Sequence, residues 1–271
     1  MGACGTVRSM RFGYVALVAG MLTTACTTEI SLSAKTRDVQ DNVLKADVLD
    51  WSGGKIRIQN DGVGVSINGG VKVVADASAT KVSATARFVA LVLPEEKTNG
   101  DLSINDAVET FSITRSGDDV IVNCNHGQTH GSSAAGDSGC ELLTVTIPTG
   151  TATTPLDLSV LSGNGEVNLA LSSAVLVDLA TSSNVGNTVA VLPATKSATI
   201  ALVSEQAGDL DVTMPAGWSA DSVVLGADAD EIANSFALTS TGGYGAPGAG
   251  LASLTITSKP FAGSTGKITL H

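Results

Sequence analysis

Four residues of this 271-residue chain combine reactive side chains with close spacing: Cys124, His126, His130 and Cys140. Two thiolates and two imidazoles can complete the tetrahedral shell that zinc prefers. The spacing, Cys-x-His-x3-His-x9-Cys, is not that of a zinc finger, and paired cysteines in an exported chain more commonly form a disulfide. We therefore expect a Cys124–Cys140 bond, worth about 3 kcal/mol in the chain-entropy picture. In that reading no metal is held, and His126 and His130 are loop histidines, the weak remaining metal candidates. Periplasmic zinc on the Cys124–Cys140 loop is the alternative.

Other chemistry is sparse. Asp228, Asp230 and Glu231 supply oxygens of the kind calcium takes, but the strict calcium-loop pattern is missing and a solvated turn is the plainer reading. Trp51, Trp218 and Tyr244 are possible sugar-stacking platforms, although isolated aromatics more often cap the ends of strands. The nucleophile elbow, the phosphate loop and the His-Glu-x-x-His motif do not occur. Gly163-Asn-Gly165 is a strand corner, because no helix follows it. No catalytic residue and no cofactor is expected, and the chain reads as a non-enzyme.

The oxidising compartment is inferred from the N-terminus. Arg8 and Arg11 precede an apolar run from Phe12 to Leu22, too short to span a bilayer and typical of a secretory leader. The run ends in Leu22-Thr-Thr-Ala-Cys26, which resembles a bacterial lipobox. That resemblance implies cleavage before Cys26, lipid on Cys26, and a membrane contact through the N-terminal lipid. Thr23 stands where lipoboxes usually carry an aliphatic residue. Met1-Gly-Ala-Cys-Gly-Thr6 fits a myristoylation pattern with Cys4 beside it, but the apolar run directly behind favours a leader. The expected organisation is a signal peptide at 1–25, a tether at 26–37 and a β-repeat domain at 38–271, with regular repeats at 150–214.

The net charge is −11, and loss of a leader carrying two arginines and no acid would make it −13. Without a basic patch, nucleic acid is excluded as a partner, and electrostatic adsorption to anionic lipid is disfavoured.

The elements holding these residues are strands. Hydrophobic residues are 43% of the chain but aromatics only 3%, so a core must be built from Ala, Val, Leu and Ile. From Leu156 to Met214 one phrase occurs three times: an apolar run, a polar corner with glycine, and a short alternating strand. The corner glycines Gly165, Gly186 and Gly208 are 21 and then 22 residues apart. Two strands per unit at that period predict a β-solenoid or β-helix-like stack of short strands. Tandem β-sandwiches are the alternative all-β arrangement. Ser103–Glu109 is the one stretch expected to turn helically, after a polar loop at 94–100. Similar phrases at Gly53–Ile58 and Gly263–Leu270 are expected to be end coils. Asp61–Ile67 is expected to be a strand. Asn123–Gly139 and Gly242–Gly250 are expected to be exposed loops and the first places to seek recognition.

Four phrases carry a family resemblance: Gly54-Lys-Ile-Arg-Ile58, Gly165-Glu-Val-Asn-Leu169, Gly208-Asp-Leu-Asp-Val212 and Gly266-Lys-Ile-Thr-Leu270. Behind a lipoprotein leader they resemble the bacterial adhesin-like domain families, over Val43–Leu270. The resemblance implies a right-handed β-solenoid on the cell envelope and no established catalytic residues. The expected function is that of a lipid-anchored, adhesin-like or structural protein of the bacterial envelope, an outer-membrane lipoprotein contacting envelope polysaccharide or protein. The alternative is an envelope carbohydrate-binding or carbohydrate-cleaving β-helix, which needs clustered carboxylates and aromatics on one face.

Overall fold

Alternation of apolar and polar residues sets nearly every element in the computed structural model, which describes residues 38–61, 69–92, 97–127, 137–194, 198–214, 220–225, 231–234, 241–244, 252–258 and 266–271. The chain begins with β1 (Asp38–Asp50), β2 (Ile56–Asn60), β3 (Gly70–Asp76) and β4 (Lys81–Val92), then helix α1 (Lys97–Glu109). Next come β5 (Ser112–Ser116), β6 (Asp119–Cys124) and β7 (Asp137–Pro148). The three-copy region supplies β8 (Leu156–Ser162), β9 (Val167–Ala170), β10 (Leu176–Val185), β11 (Thr188–Val191), β12 (Thr199–Ala207) and β13 (Leu210–Thr213). The chain closes with β14 (Ala220–Leu225), β15 (Glu231–Asn234), β16 (Thr241–Tyr244), β17 (Ala252–Ser258) and β18 (Lys267–Leu270).

The strands form two nine-stranded sheets. The first runs β1-β4-β7-β3-β9-β11-β13-β18-β15, and the second runs β16-β14-β17-β12-β10-β8-β2-β6-β5. Pairing is parallel through the middle of both sheets and antiparallel at β1–β4, β4–β7, β5–β6 and β14–β16. Each repeat copy places one strand in the second sheet and the next in the first. Copies therefore pair in register, Leu158 with Leu179 and Leu179 with Ile200. The result is one all-β unit with two mixed sheets rather than two separate sandwiches.

The core between the sheets is a set of aliphatic rows. Val122, Ile58, Val160, Thr181, Leu202 and Ile256 make one row in the second sheet. Val145, Val73, Leu169, Ala190, Val212 and Leu270 make a matching row in the first. All of these are buried, and with such narrow side chains the core needs few aromatics.

At the corner of the three copies, a Cβ on Gly186 would lie 2.3 Å from the Gly165 carbonyl oxygen, and one on Gly208 would lie 2.1 Å from the Gly186 carbonyl oxygen. The three glycines thus lie directly against one another. Gly186 and Gly208 also take positive φ, 151° and 136°, so no side chain is accommodated there.

Several expectations need correction. The phrases at Gly53–Ile58 and Gly263–Leu270 are not end coils: β2 lies between β6 and β8, and β18 lies between β13 and β15. The outer places are taken by β1 and β5 at one end of the sheets and by β15 and β16 at the other, because a later or earlier segment of chain folds outside its sequence neighbour. The helical turn is longer than expected, and its first residues occupy part of the polar loop at 94–100. Gly242–Tyr244 belong to β16, not to a loop, while 245–250 lie outside the described residues. Most of the expected strand at Asp61–Ile67 lies outside them too, as do Cys26, His130, Trp218, Asp228 and Asp230. Glu231 opens β15. No helix among the described residues is long and apolar enough to cross a membrane.

Candidate functional site

Of the residues singled out for chemistry, Cys124, Cys140 and His126 lie at the end of the sheets where α1 packs. β6 ends on Cys124 in the second sheet and β7 carries Cys140 in the first. The two are bonded as a disulfide, with Cα atoms 5.9 Å apart. Both sulfurs are therefore committed to each other, which removes the thiolate donors that the zinc reading required. Among the described residues no three His, Cys, Asp or Glu are grouped to hold a metal.

The disulfide heads a row of buried polar residues that were not among the expected candidates. Cys124 pairs with Asn60, Asn60 with Ser162, Ser162 with Ser183, and Ser183 with Ser204. Each sits where the chain leaves the second sheet for the first. Asn60 Nδ2 donates to the carbonyls of Gly70 (2.9 Å) and Cys140 (3.2 Å), both in the first sheet. Ser162 Oγ lies 2.8 Å from the Gly69 carbonyl oxygen and 2.9 Å from that of Gly165, and accepts from the Gly165 N–H at 3.3 Å. Ser183 Oγ reaches the Gly186 carbonyl at 3.2 Å. Carbonyls at the corners are thus met by side chains, which is what burial demands. The signal was in the repeat itself, since Ser162, Ser183 and Ser204 are 21 residues apart.

Beyond the disulfide the chain passes under α1. Gly127 is buried there: a Cβ on it would lie 2.4 Å from the Ser103 carbonyl oxygen and 2.5 Å from the Ala107 nitrogen. Ser138 Oγ donates to that Ser103 carbonyl at 2.8 Å. Thr110 Oγ1 donates to the Ala107 carbonyl (2.7 Å) and accepts from the Asn125 N–H (2.9 Å), fastening the helix end to the strand below. The expectation of a wholly exposed loop at Asn123–Gly139 therefore fails at both ends, where Cys124, Gly127, Ser138 and Gly139 are buried. The cause is α1, whose Ile104 and Ala107 join the core and pull the loop ends beneath the helix.

An open cleft of about 330 Å³ results, lined by Asp106, Glu109, Thr110, His126 and Gly127. His126 is exposed, with Nδ1 3.4 Å from the Asp61 carbonyl oxygen. The lining offers two carboxylates, an imidazole and a hydroxyl, a set suited to a polar ligand rich in donors. Among the described residues no aromatic lines it. Trp51 instead packs against the core and donates Nε1–H to the Gly54 carbonyl at 2.7 Å, at the turn into β2. A second groove of about 240 Å³ crosses the outer face of the second sheet, with Arg57 and Gln59 on one side and Ser159, Ala180 and Ser182 on its floor. Arg57 is held by Asp119 at 3.1 Å.

No family model matches this chain, and no curated protein matches it. Among solved structures, a candidate cell adhesion protein from Clostridium sporogenes aligns with 85% of this chain and 99% of its own, at 12% identity and a TM-score of 0.58. The two share a fold. A candidate adhesin from Bacteroides fragilis aligns with 84% of this chain and 97% of its own at 10% identity, but its TM-score of 0.27 carries no argument.

Proposed function

We propose that this chain is a non-enzymatic, adhesin-like protein of the bacterial envelope, lipid-anchored at Cys26 and built as a right-handed β-solenoid. The observation that carries the reading is the in-register stack of strand pairs with glycine corners, closed at one end by a disulfide and α1. Such a stack is rigid along its length and offers its side faces and end loops for contact. The shared fold with the Clostridium sporogenes protein supports an adhesion role by analogy. The partner would be an envelope or surface polysaccharide or a protein.

Two measurements test this. Mass spectrometry of protein recovered from membranes should find diacylglyceryl on Cys26, and Cys26→Ala should release the protein. An unlipidated mature N-terminus defeats the anchoring. Beads coated with the protein should retain polysaccharide or cells, and lose them on Asp106→Asn with His126→Ala if the cleft is the contact. Release of reducing sugar ends from a bound polysaccharide would instead establish the carbohydrate-cleaving alternative.

A further inference from the structure

Among the described residues, β1 is a long strand with one edge bare. It pairs with β4 without a register shift from Val43 to Asp50, and the next strand of the first sheet lies on the far side of β4. Sheet edges of this kind are normally short, bulged or covered. Here the stretch Leu44–Val48 is exposed, including two apolar side chains, Leu44 at 64% and Val48 at 53%. The direction of its hydrogen-bonding groups can be read from two contacts. The Val48 N–H is bound by the Asp47 carboxylate at 2.8 Å rather than by the ladder. The Asp50 carbonyl accepts from the Arg115 guanidinium on β5. Even-numbered residues of β1 therefore aim their N–H and C=O away from β4, and the edge stays bare from Leu44 to Val48.

We propose that this edge pairs with the same edge of a second copy of the chain, antiparallel about a two-fold axis through Ala46. In an antiparallel ladder, outward-aimed residues must face outward-aimed residues, so only registers that keep this parity are open. An axis at Lys45 sets Lys45 against Lys45, and an axis at Asp47 sets Asp47 against Asp47. The axis at Ala46 sets Lys45 against the partner's Asp47 twice, and Leu44 against the partner's Val48 twice. Both exposed apolar residues are then covered and both charges are matched, the arrangement that cross-strand pairs favour. The interface is isologous, as a two-fold requires. In the separate chain Asp47 occupies the Val48 N–H and blunts the edge; in the pair it is released toward Lys45 of the other copy. This inference does not rest on the adhesion reading.

Cysteine cross-linking tests the register. The full chain is expressed with its own leader, with Cys4→Ser and Cys26→Ser to remove those thiols. Ala46→Cys should oxidise to a linked dimer, because hydrogen-bonded partners sit about 5.5 Å apart at Cα, within disulfide reach. Leu44→Cys alone and Val48→Cys alone should stay unlinked, because each is offset from its own copy by about 13 Å. A mixture of the two should link. In sedimentation equilibrium up to about 1 mM chain, Lys45→Asp should weaken dimerisation at least about tenfold, and Lys45→Asp with Asp47→Lys should restore it. Equal linking of Leu44→Cys by itself would overturn the register. A wild-type chain that remains monomeric throughout and gives no linked product at Ala46→Cys would overturn the pairing altogether, and would leave the edge to some other extended chain.

Discussion

Thr181 and Thr188 put hydroxyls into rows that are otherwise aliphatic. Thr181 of β10 lies between Val160 and Leu202, and Thr188 of β11 lies between Val167 and Leu210. All six residues are buried, and neither threonine Oγ1 has a hydrogen-bond partner. Valine has the same shape with a methyl in place of the hydroxyl. An unpaired buried hydroxyl costs about 1–3 kcal/mol in lost hydration. Thr181→Val and Thr188→Val should therefore each stabilise the protein by about 1 kcal/mol, taking the low end because the coil can relax. For a chain of this size that raises the melting temperature by about 2–4 °C per substitution. Urea unfolding followed by far-ultraviolet circular dichroism reads the change as a shift of midpoint at constant slope. Serine is the control: Thr181→Ser keeps the hydroxyl and loses a methyl, so it should destabilise by about 1 kcal/mol. If Thr181→Val and Thr188→Val lower the midpoint as much as the serine variants do, the hydroxyls are bonded, and the reasoning from burial is refuted.

Four other outcomes follow from the structure. Gly186→Ala should cost at least about 3 kcal/mol, because it combines positive φ with a backbone clash against Gly165; a variant with unchanged urea midpoint would mean that the corners do not stack. Ser162→Ala should destabilise by about 1–2 kcal/mol, since it strips a partner from Gly165 N–H and from the Gly69 carbonyl. Ser204→Ala, whose Oγ has no partner, should be close to neutral by the same unfolding measurement. Asp76 has its pKa held below the ordinary 3.8 by the Ser78 N–H and, second, the Ser78 hydroxyl, at 2.8 and 2.7 Å. A lowered carboxylate pKa adds stability that is complete above 3.8 and is lost as pH falls through the lowered value. In carbon-detected NMR titration Ser78→Ala should raise the Asp76 pKa only part of the way, because the backbone donor remains.

Much of the scaffold was legible before folding. Alternation at β8–β13, the glycine corners and the serine recurrence are local, repeated signals, and strand pairing only had to put like against like. The cysteine pair was legible for a different reason, since the export that the N-terminal run predicts leaves few other uses for two thiols. The cleft was not. Asp106 and Glu109 sit in a helix with weak patterning, and nothing local ties that helix to His126.

The sequence by itself determined the period, the residue types at each row and the corners, because a strand faces its core every second residue and only glycine fits where carbonyls stack. Tertiary structure decided the order of the stack. β2 lies inside β6, and β18 lies inside β15, since parallel pairing accepts any strand of matching pattern. It also decided that the disulfide would link two sheets rather than close a free loop, and that Leu44–Val48 would have no strand beside them among the described residues. Those outcomes depend on which surfaces remain after the core is filled, and no local stretch of residues carries that information.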